Sequence, residues 1–206
     1  MILECVVVGF VQTNCYILAA KFAQSAVIID PGDEEPKIRA VLSRHKLRAG
    51  LVILTHGHFD HIGSAHKFSV PVYIHNRERD FLNDPNLNLS GFAGISFTLK
   101  ADVRGVKDKD IISLEGIELQ VIDMPGHTPG GMALLMRKPQ DNILFTGDSL
   151  FYQGVGRTDF PYGDEHQLIN SIKKGIFGLG DGIRFYPGHG PDSTIGAEKK
   201  NNSFLA

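Results

Sequence analysis

The stretch Thr55-His56-Gly57-His58-Phe59-Asp60-His61 follows at once on the apolar run Gly50-Leu51-Val52-Ile53-Leu54. A short run of branched residues opened by glycine reads as a buried strand. The polar cluster therefore falls where a strand ends and the chain turns. Alternate residues of an extended segment face the same way. On that reading His56, His58 and Asp60 point to one spot and His61 to another, so that one side of the loop serves one metal ion and His61 a neighbouring one. A solvated loop that merely holds histidines is the bland alternative, and it fits one or two imidazoles better than four convergent groups.

Three further loops carry the same kinds of donor at strand ends. Asp123-Met124-Pro125-Gly126-His127-Thr128-Pro129-Gly130 is a rigid turn presenting His127. Thr146-Gly147-Asp148 closes a strand over 142–146, and Pro187-Gly188-His189-Gly190 follows one over 183–186. Glycine, at 23 of 206 residues, is above its usual ~7% and sits beside these histidines, where a missing Cβ lets loops turn tightly around a small centre.

The full donor set is then His56, His58, Asp60, His61, His127, Asp148 and His189. Seven donors exceed one tetrahedral ion and suit two ions sharing a carboxylate. A workable division gives the first ion His56, His58 and His127 and the second Asp60, His61 and His189, with Asp148 between them. Such a pair brings the pKa of bound water to about 7 and retains positive charge for a developing oxyanion. Nitrogen and oxygen ligation does not choose the metal: zinc is the first expectation, with iron and manganese compatible. Asp30 is expected either to hold an imidazole from behind or to cap its own Pro-Gly turn. Arg157 is expected either to meet a substrate carboxylate or to pair with Asp159. No Gly-x-Ser-x-Gly elbow, Walker loop or Gly-x-Gly-x-x-Gly fingerprint is present.

The remaining pattern predicts strands over 2–8, 14–20, 25–30, 72–74, 111–112, 117–123 and 131–137. Helices are expected over 34–46, from about 62, over 76–82 and over 164–177, with a short basic helix in the tail. Residues 83–110 read as a polar loop over the site. His45, His66, His75 and His166 have no ligand spacing and are read as structural or exposed. The order suggests an approximate internal duplication, with halves of about 1–105 and 106–206 in one domain spanning 1–206. Two β-rich halves with flanking helices can bury two sheets face to face.

Acidic residues number 23 against 21 basic ones, which gives no field for nucleic acid or anionic membrane. No stretch is long enough to cross a bilayer, and no basic segment precedes an apolar run at the start. Cys5 and Cys15 match no zinc or redox spacing and read as buried free thiols, so a reducing cytoplasm is the expected address.

His56-x-His58-x-Asp60-His61 followed by His127, Asp148 and His189 resembles the metallo-β-lactamase superfamily over nearly the whole chain. The resemblance implies an α/β (α+β) fold, a four-layer αββα sandwich of two mixed sheets with helices outside and a dinuclear site at one edge. Gly156-Arg157-Thr158-Asp159-Phe160 and the ending Gly188-His189-Gly190-Pro191-Asp192-Ser193-Thr194-Ile195-Gly196 are similar to the short hydroxyacylglutathione hydrolases, or type II glyoxalases. The implied reaction is hydrolysis of a glutathione-type thioester such as S-lactoylglutathione by a metal-bridging hydroxide, with Asp60 orienting the nucleophile and carrying its proton. The longer glyoxalases carry a C-terminal helical domain that helps bind glutathione, whereas this sequence stops at Ala206; the resemblance thus supports thioester cleavage more than glutathione recognition. The rival within the superfamily is a persulfide dioxygenase with one iron, which shares the Gly-Arg-Thr-Asp-Phe motif. A β-lactamase fits less well, because Asp148 supplies a bridging carboxylate and neither cysteine is at a ligand position. A non-catalytic metal-binding protein is the reading from a different class.

Overall fold

Central strands that are apolar at every position must be covered on both faces, and this chain carries them in two sets. The computed structural model describes residues 1–205. The first sheet has the order β1 (Ile2–Val8), β2 (Thr13–Ala19), β3 (Ser25–Ile29), β4 (Arg48–Ile53), β5 (Val72–His75), β6 (Val103–Val106). Strands β1 to β3 are antiparallel, and β3 to β6 run parallel. The second sheet uses β7 (Ile111–Leu114), β8 (Ile117–Asp123), β9 (Met132–Lys138), β10 (Ile143–Gly147), β13 (Arg184–Pro187) and β14 (Ser193–Thr194) in the order β14-β13-β10-β9-β8-β7. Only β10 and β13 are parallel there. A small ribbon of β11 (Leu150–Phe151) and β12 (Gly154–Val155) stands apart.

The alternation of side chains along these strands separates three cores. Ile17, Ile28 and Val52 face outward and pack with Ile38 and Leu42 of helix α1 (Glu35–Arg44). Their neighbours Leu18, Val27, Ile29 and Ile53 face inward and meet Leu119, Val121, Leu134 and Phe145 of the second sheet. On the far side Ala133, Leu135, Leu144 and Phe185 pack under helix α3 (Glu165–Ser171), its π-helical continuation Ile172–Ile176, and Ile195 of helix α4 (Ile195–Asn201). Three apolar seams between four layers make an αββα sandwich of two mixed sheets. No helix among the described residues is long and apolar enough to cross a membrane.

Several local expectations change. The helix after β4 starts earlier than expected: α2 spans Phe59–Ile62. Residues 83–110 are not simply a polar loop, because Val103–Val106 adds strand β6 beside β5. The preceding loop is fixed from inside by Asn88, fully buried, whose amide donates to the carbonyls of Phe81 and Phe97 at 3.0 Å each. Cys15 is a buried free thiol as expected, but Cys5 is exposed, because β1 is an edge strand. His45 ends α1 and pairs with Glu4 at 2.6 Å.

Candidate metal centre

Four chain reversals, one from the first sheet and three from the second, meet at one edge of the sandwich. Strand β4 delivers Thr55 and His56, and Asp30 fixes that exit. Its carboxylate accepts from the Thr55 backbone N–H and hydroxyl, both at 2.7 Å. Residues Phe59–Ile62 are helical, so side chains from 59 onward no longer alternate as in a strand. Asp60 therefore leaves the spot shared by His56 and His58 and joins His61, which corrects the expectation drawn from an extended loop.

The second sheet adds His127 from the turn between β8 and β9, Asp148 after β10 and His189 after β13. At Gly147 the backbone is left-handed (φ 49°), which aims Asp148 inward, and its carbonyl accepts from the Gly188 N–H at 2.8 Å. Gly188 sits so close that a Cβ there would lie 2.1 Å from Asp148 Oδ1 and 2.8 Å from His61 Cε1. The His189 loop is anchored to the first sheet through Asn14, whose amide donates to the carbonyls of Pro187 at 3.0 Å and Gly190 at 2.9 Å. Tyr16 donates its hydroxyl to Pro187 at 2.6 Å.

All seven donors selected from the sequence come together, in overlapping triads. His56, His58 and His127 form one; Asp60, His61 and His189 form another; His56, His61 and Asp148 lie between. His58 Nδ1 is 3.0 Å from His56 Nε2 and 3.1 Å from His127 Nε2. Asp60 Oδ2 is 3.2 Å from His189 Nε2 and 3.4 Å from His61 Nε2. The Asp148 carboxylate spans both sides: Oδ1 is 3.4 Å from His61 Nε2, while Oδ2 is 3.7 Å from His127 Nε2 and 3.5 Å from His189 Nε2.

The outward nitrogens of these rings are held from behind. His61 Nδ1 lies 3.0 Å from Asp30 Oδ2, and His127 Nδ1 donates to the Arg157 carbonyl at 2.7 Å. Such contacts fix the tautomer and leave the inward Nε2 lone pair for a ligand. Of the two roles expected of Asp30, its side chain takes the first, behind the His61 imidazole, while the turn is closed by its backbone carbonyl on the Gly32 N–H at 2.8 Å. His61 Nε2 and Asp148 Oδ1 are buried without a hydrogen-bond partner. Buried polar atoms are normally satisfied, so this pair of orphans, aimed at each other across a gap, fits cation binding.

Electrostatics divide the site. Burial holds the His56 imidazole well below its ordinary value and lowers that of His58 to about 3, with neighbouring histidines adding to both. Burial alone would also lower His61, but Asp60, Asp148 and Asp30 raise it well above the usual range. Burial alone would raise Asp60 and Asp148, yet His61 above all holds both low. One side thus offers neutral imidazoles and the other carboxylates.

Sequence reading gave no weight to Glu78, which is fully buried on the 3-10 helix Asn76–Asn83. Its two oxygens accept from the backbone N–H of Gly57 at 2.9 Å and of Gly130 at 2.6 Å, tying the His56–His58 loop to the His127 loop. Nothing in its sequence surroundings marks it, because its partners are backbone groups 21 and 52 residues away. Arg157 lines the cleft, forks Asp159 through two bonds of 2.7 and 2.6 Å, and lies 3.8 Å over the Phe160 ring. The cleft above the donors encloses about 570 Å³.

The sequence profile of the metallo-beta-lactamase superfamily matches residues 8–194. The chain belongs to the metallo-beta-lactamase superfamily. Members bind divalent metals, and the His/Asp cluster is this chain's candidate site for them. Hydroxyacylglutathione hydrolase GloC of Haemophilus influenzae is 35% identical over 100% of this chain and 98% of its own length. Among solved superfamily structures, BLEG-1 B3 metallo-beta-lactamase superposes with a TM-score of 0.91 at 38% identity, covering 99% of each chain. TTHA1623 in a di-iron-bound form gives 0.85 at 34%, over 98% of this chain and 100% of the other.

Proposed function

We propose that this chain is a dinuclear metal-dependent thioester hydrolase acting on a small thioester of the S-lactoylglutathione type in a reducing cytoplasm. The observation that carries the proposal is the Asp148 carboxylate, which reaches both outer triads: Oδ2 lies between His127 and His189, and Oδ1 faces His61. His56, His58 and His127 would hold one divalent ion and Asp60, His61 and His189 the other, with Asp148 shared. Zinc is our first assignment, and the similarity to a di-iron protein keeps iron open. When bound, the ions supply Lewis acidity that lowers the pKa of water to about 7 and polarises a carbonyl.

The chain's own groups do the rest. Asp60 stays ionised beside His61 and His189, and its Oδ2 accepts from the Thr13 hydroxyl at 3.1 Å, which orients the carboxylate as a proton acceptor. A thiolate whose parent thiol titrates near 8.5 leaves without a strong general acid, and the described cleft lining offers none beyond histidine. We assign Arg157 to the thiol-carrier end, where a carboxylate of the carrier would exchange with Asp159.

Metal analysis of the untreated protein with a thioester panel tests this reading. We expect two ions per chain, cleavage of S-lactoylglutathione, and loss of cleavage in Asp148→Ala. One iron per chain, with oxygen uptake on glutathione persulfide and no thioester cleavage, would overturn it. The similarity to BLEG-1 supports a second reading, β-lactam hydrolysis, which turnover of a chromogenic β-lactam in the same assay would reveal.

A further inference from the structure

Beside the large cleft lies a second, smaller cavity of about 150 Å³. It borders Asp60 and shares Phe10, Val11, Phe59 and Asp60 with the cleft, so the two spaces lie side by side at the donors. Its walls are mainly Val8, Phe10, Val11, Phe59, Ile95 and Phe97. These come from three separate segments: the β1–β2 turn, helix α2 and the loop before β6. The Phe10 and Phe59 rings stack at 6.1 Å.

The walls are built rather than incidental. Ser90 donates no slack to the loop: its carbonyl accepts from the Ile95 N–H at 2.9 Å and its hydroxyl from the Phe97 N–H at 2.8 Å. Asn88, buried beneath, also binds the Phe97 carbonyl. Yet Phe10 is 75% exposed and Ile95 52% exposed at the rim. Large apolar side chains held in the open around a concave site mark a surface that an apolar ligand covers.

We propose that this cavity, lined by Val8, Phe10, Val11, Phe59, Ile95 and Phe97, is the acyl pocket and takes an apolar acyl chain of about six carbons or a phenyl-sized group. The assignment rests on the thioester reading and says which side of the scissile bond goes where. Size decides it: an apolar cavity of about 150 Å³ holds a benzene-sized guest, and a peptide-like thiol carrier is far larger. The carrier is left to the open cleft, which has Arg157 and access to water. Charge narrows the acyl group further. Asp33 and Asp60 both border the small cavity, and no Lys or Arg does, so an acyl chain ending in a carboxylate is rejected.

The test uses metal-loaded protein and acyl thioesters of one thiol, glutathione: acetyl, lactoyl, butyryl, hexanoyl, decanoyl and glutaryl. Transfer of each methylene into the cavity is expected to raise kcat/KM by about fourfold up to hexanoyl, with a fall at decanoyl and discrimination against glutaryl. Ile95→Asp should lower the hexanoyl-to-lactoyl ratio by roughly tenfold or more, as a charge enters the wall. Titration of the same protein with acetate, butanoate and hexanoate, followed by NMR, reads the cavity without turnover: hexanoate should bind tighter and shift the Ile95 methyls. Cleavage of lactoylglutathione with a flat chain-length profile would overturn the acyl pocket and leave the thioesterase standing. Tighter hexanoate binding with no thioester cleaved would overturn the thioester reading and keep the cavity's ligand class. Hexanoate binding no tighter than acetate would overturn the pocket whatever the turnover.

Discussion

At the scale of single residues, the site depends on groups that never touch the candidate ions. Glu78 is the clearest case. Glu78→Gln places an amide NH2 against one of two buried N–H donors, leaving a donor unpaired at about 1–3 kcal/mol. The loops carrying His56, His58 and His127 then separate, while Asp60, His61 and His189 keep their supports. The expected outcome is a fall in metal content from two ions toward one, read by elemental analysis of the purified variant; two ions retained at the parent affinity would show that the clamp is idle. Gly188→Ala is a second case, because its methyl would enter the space of Asp148 Oδ1. Overpacking of that kind costs about 1–3 kcal/mol, so a lower melting temperature and lower metal content should appear together. The seven donors were legible in the sequence because they fall in four loops at the ends of apolar runs, with glycine beside His56, His58, His127, Asp148 and His189. Glu78 and Asn14 were not, because they act on backbone groups that carry no mark in the sequence.

At the scale of elements, the long apolar strands read correctly from the sequence, as did the short ones at Val72–His75, Ile111–Leu114 and Arg184–Pro187, but four other short strands did not. Val103–Val106, Leu150–Phe151, Gly154–Val155 and Ser193–Thr194 carry no readable pattern; the first and last form because β5 and β13 offer a free edge, and the middle two pair only with each other. The early start of α2 was hidden by its own ligands, since Phe59-Asp60-His61-Ile62 has neither cap nor length. Helix α3 is the opposite case. Asp164 accepts from the Gln167 N–H at 2.8 Å and caps it, just where the Gly126 carbonyl accepts from the Asp164 N–H, also at 2.8 Å. Asp164→Ala should cost about 1 kcal/mol of stability in a denaturant melt while leaving the proposed thioester cleavage unchanged, since the helix packs behind the second sheet.

At the scale of the whole molecule, each outer triad draws members from both sheets: His56 and His58 with His127, Asp60 and His61 with His189. Ion binding should therefore report on the fold as a unit. At a thousandfold excess of metal over its dissociation constant, one site adds about 4 kcal/mol, and in a chain of this size 1 kcal/mol moves the melting temperature by roughly 2–4 °C. Removing metal with a chelator should lower it by roughly 10 °C per site, a scanning-calorimetry measurement in which no shift would argue against resident ions. The sandwich itself was foreseeable from two sets of all-apolar strands, but the docking of one set on the other was not, since it joins Leu18 and Ile29 to Leu119 and Phe145, far apart in the sequence. The anchoring of the His189 loop by Asn14 has a further consequence. It stitches the His189 loop to strand β2, so the triad of Asp60, His61 and His189 cannot close until His189 has been synthesised. Nascent chains halted short of His189 would then hold at most the one ion of the His56, His58 and His127 triad, and full loading would serve as a checkpoint on synthesis itself.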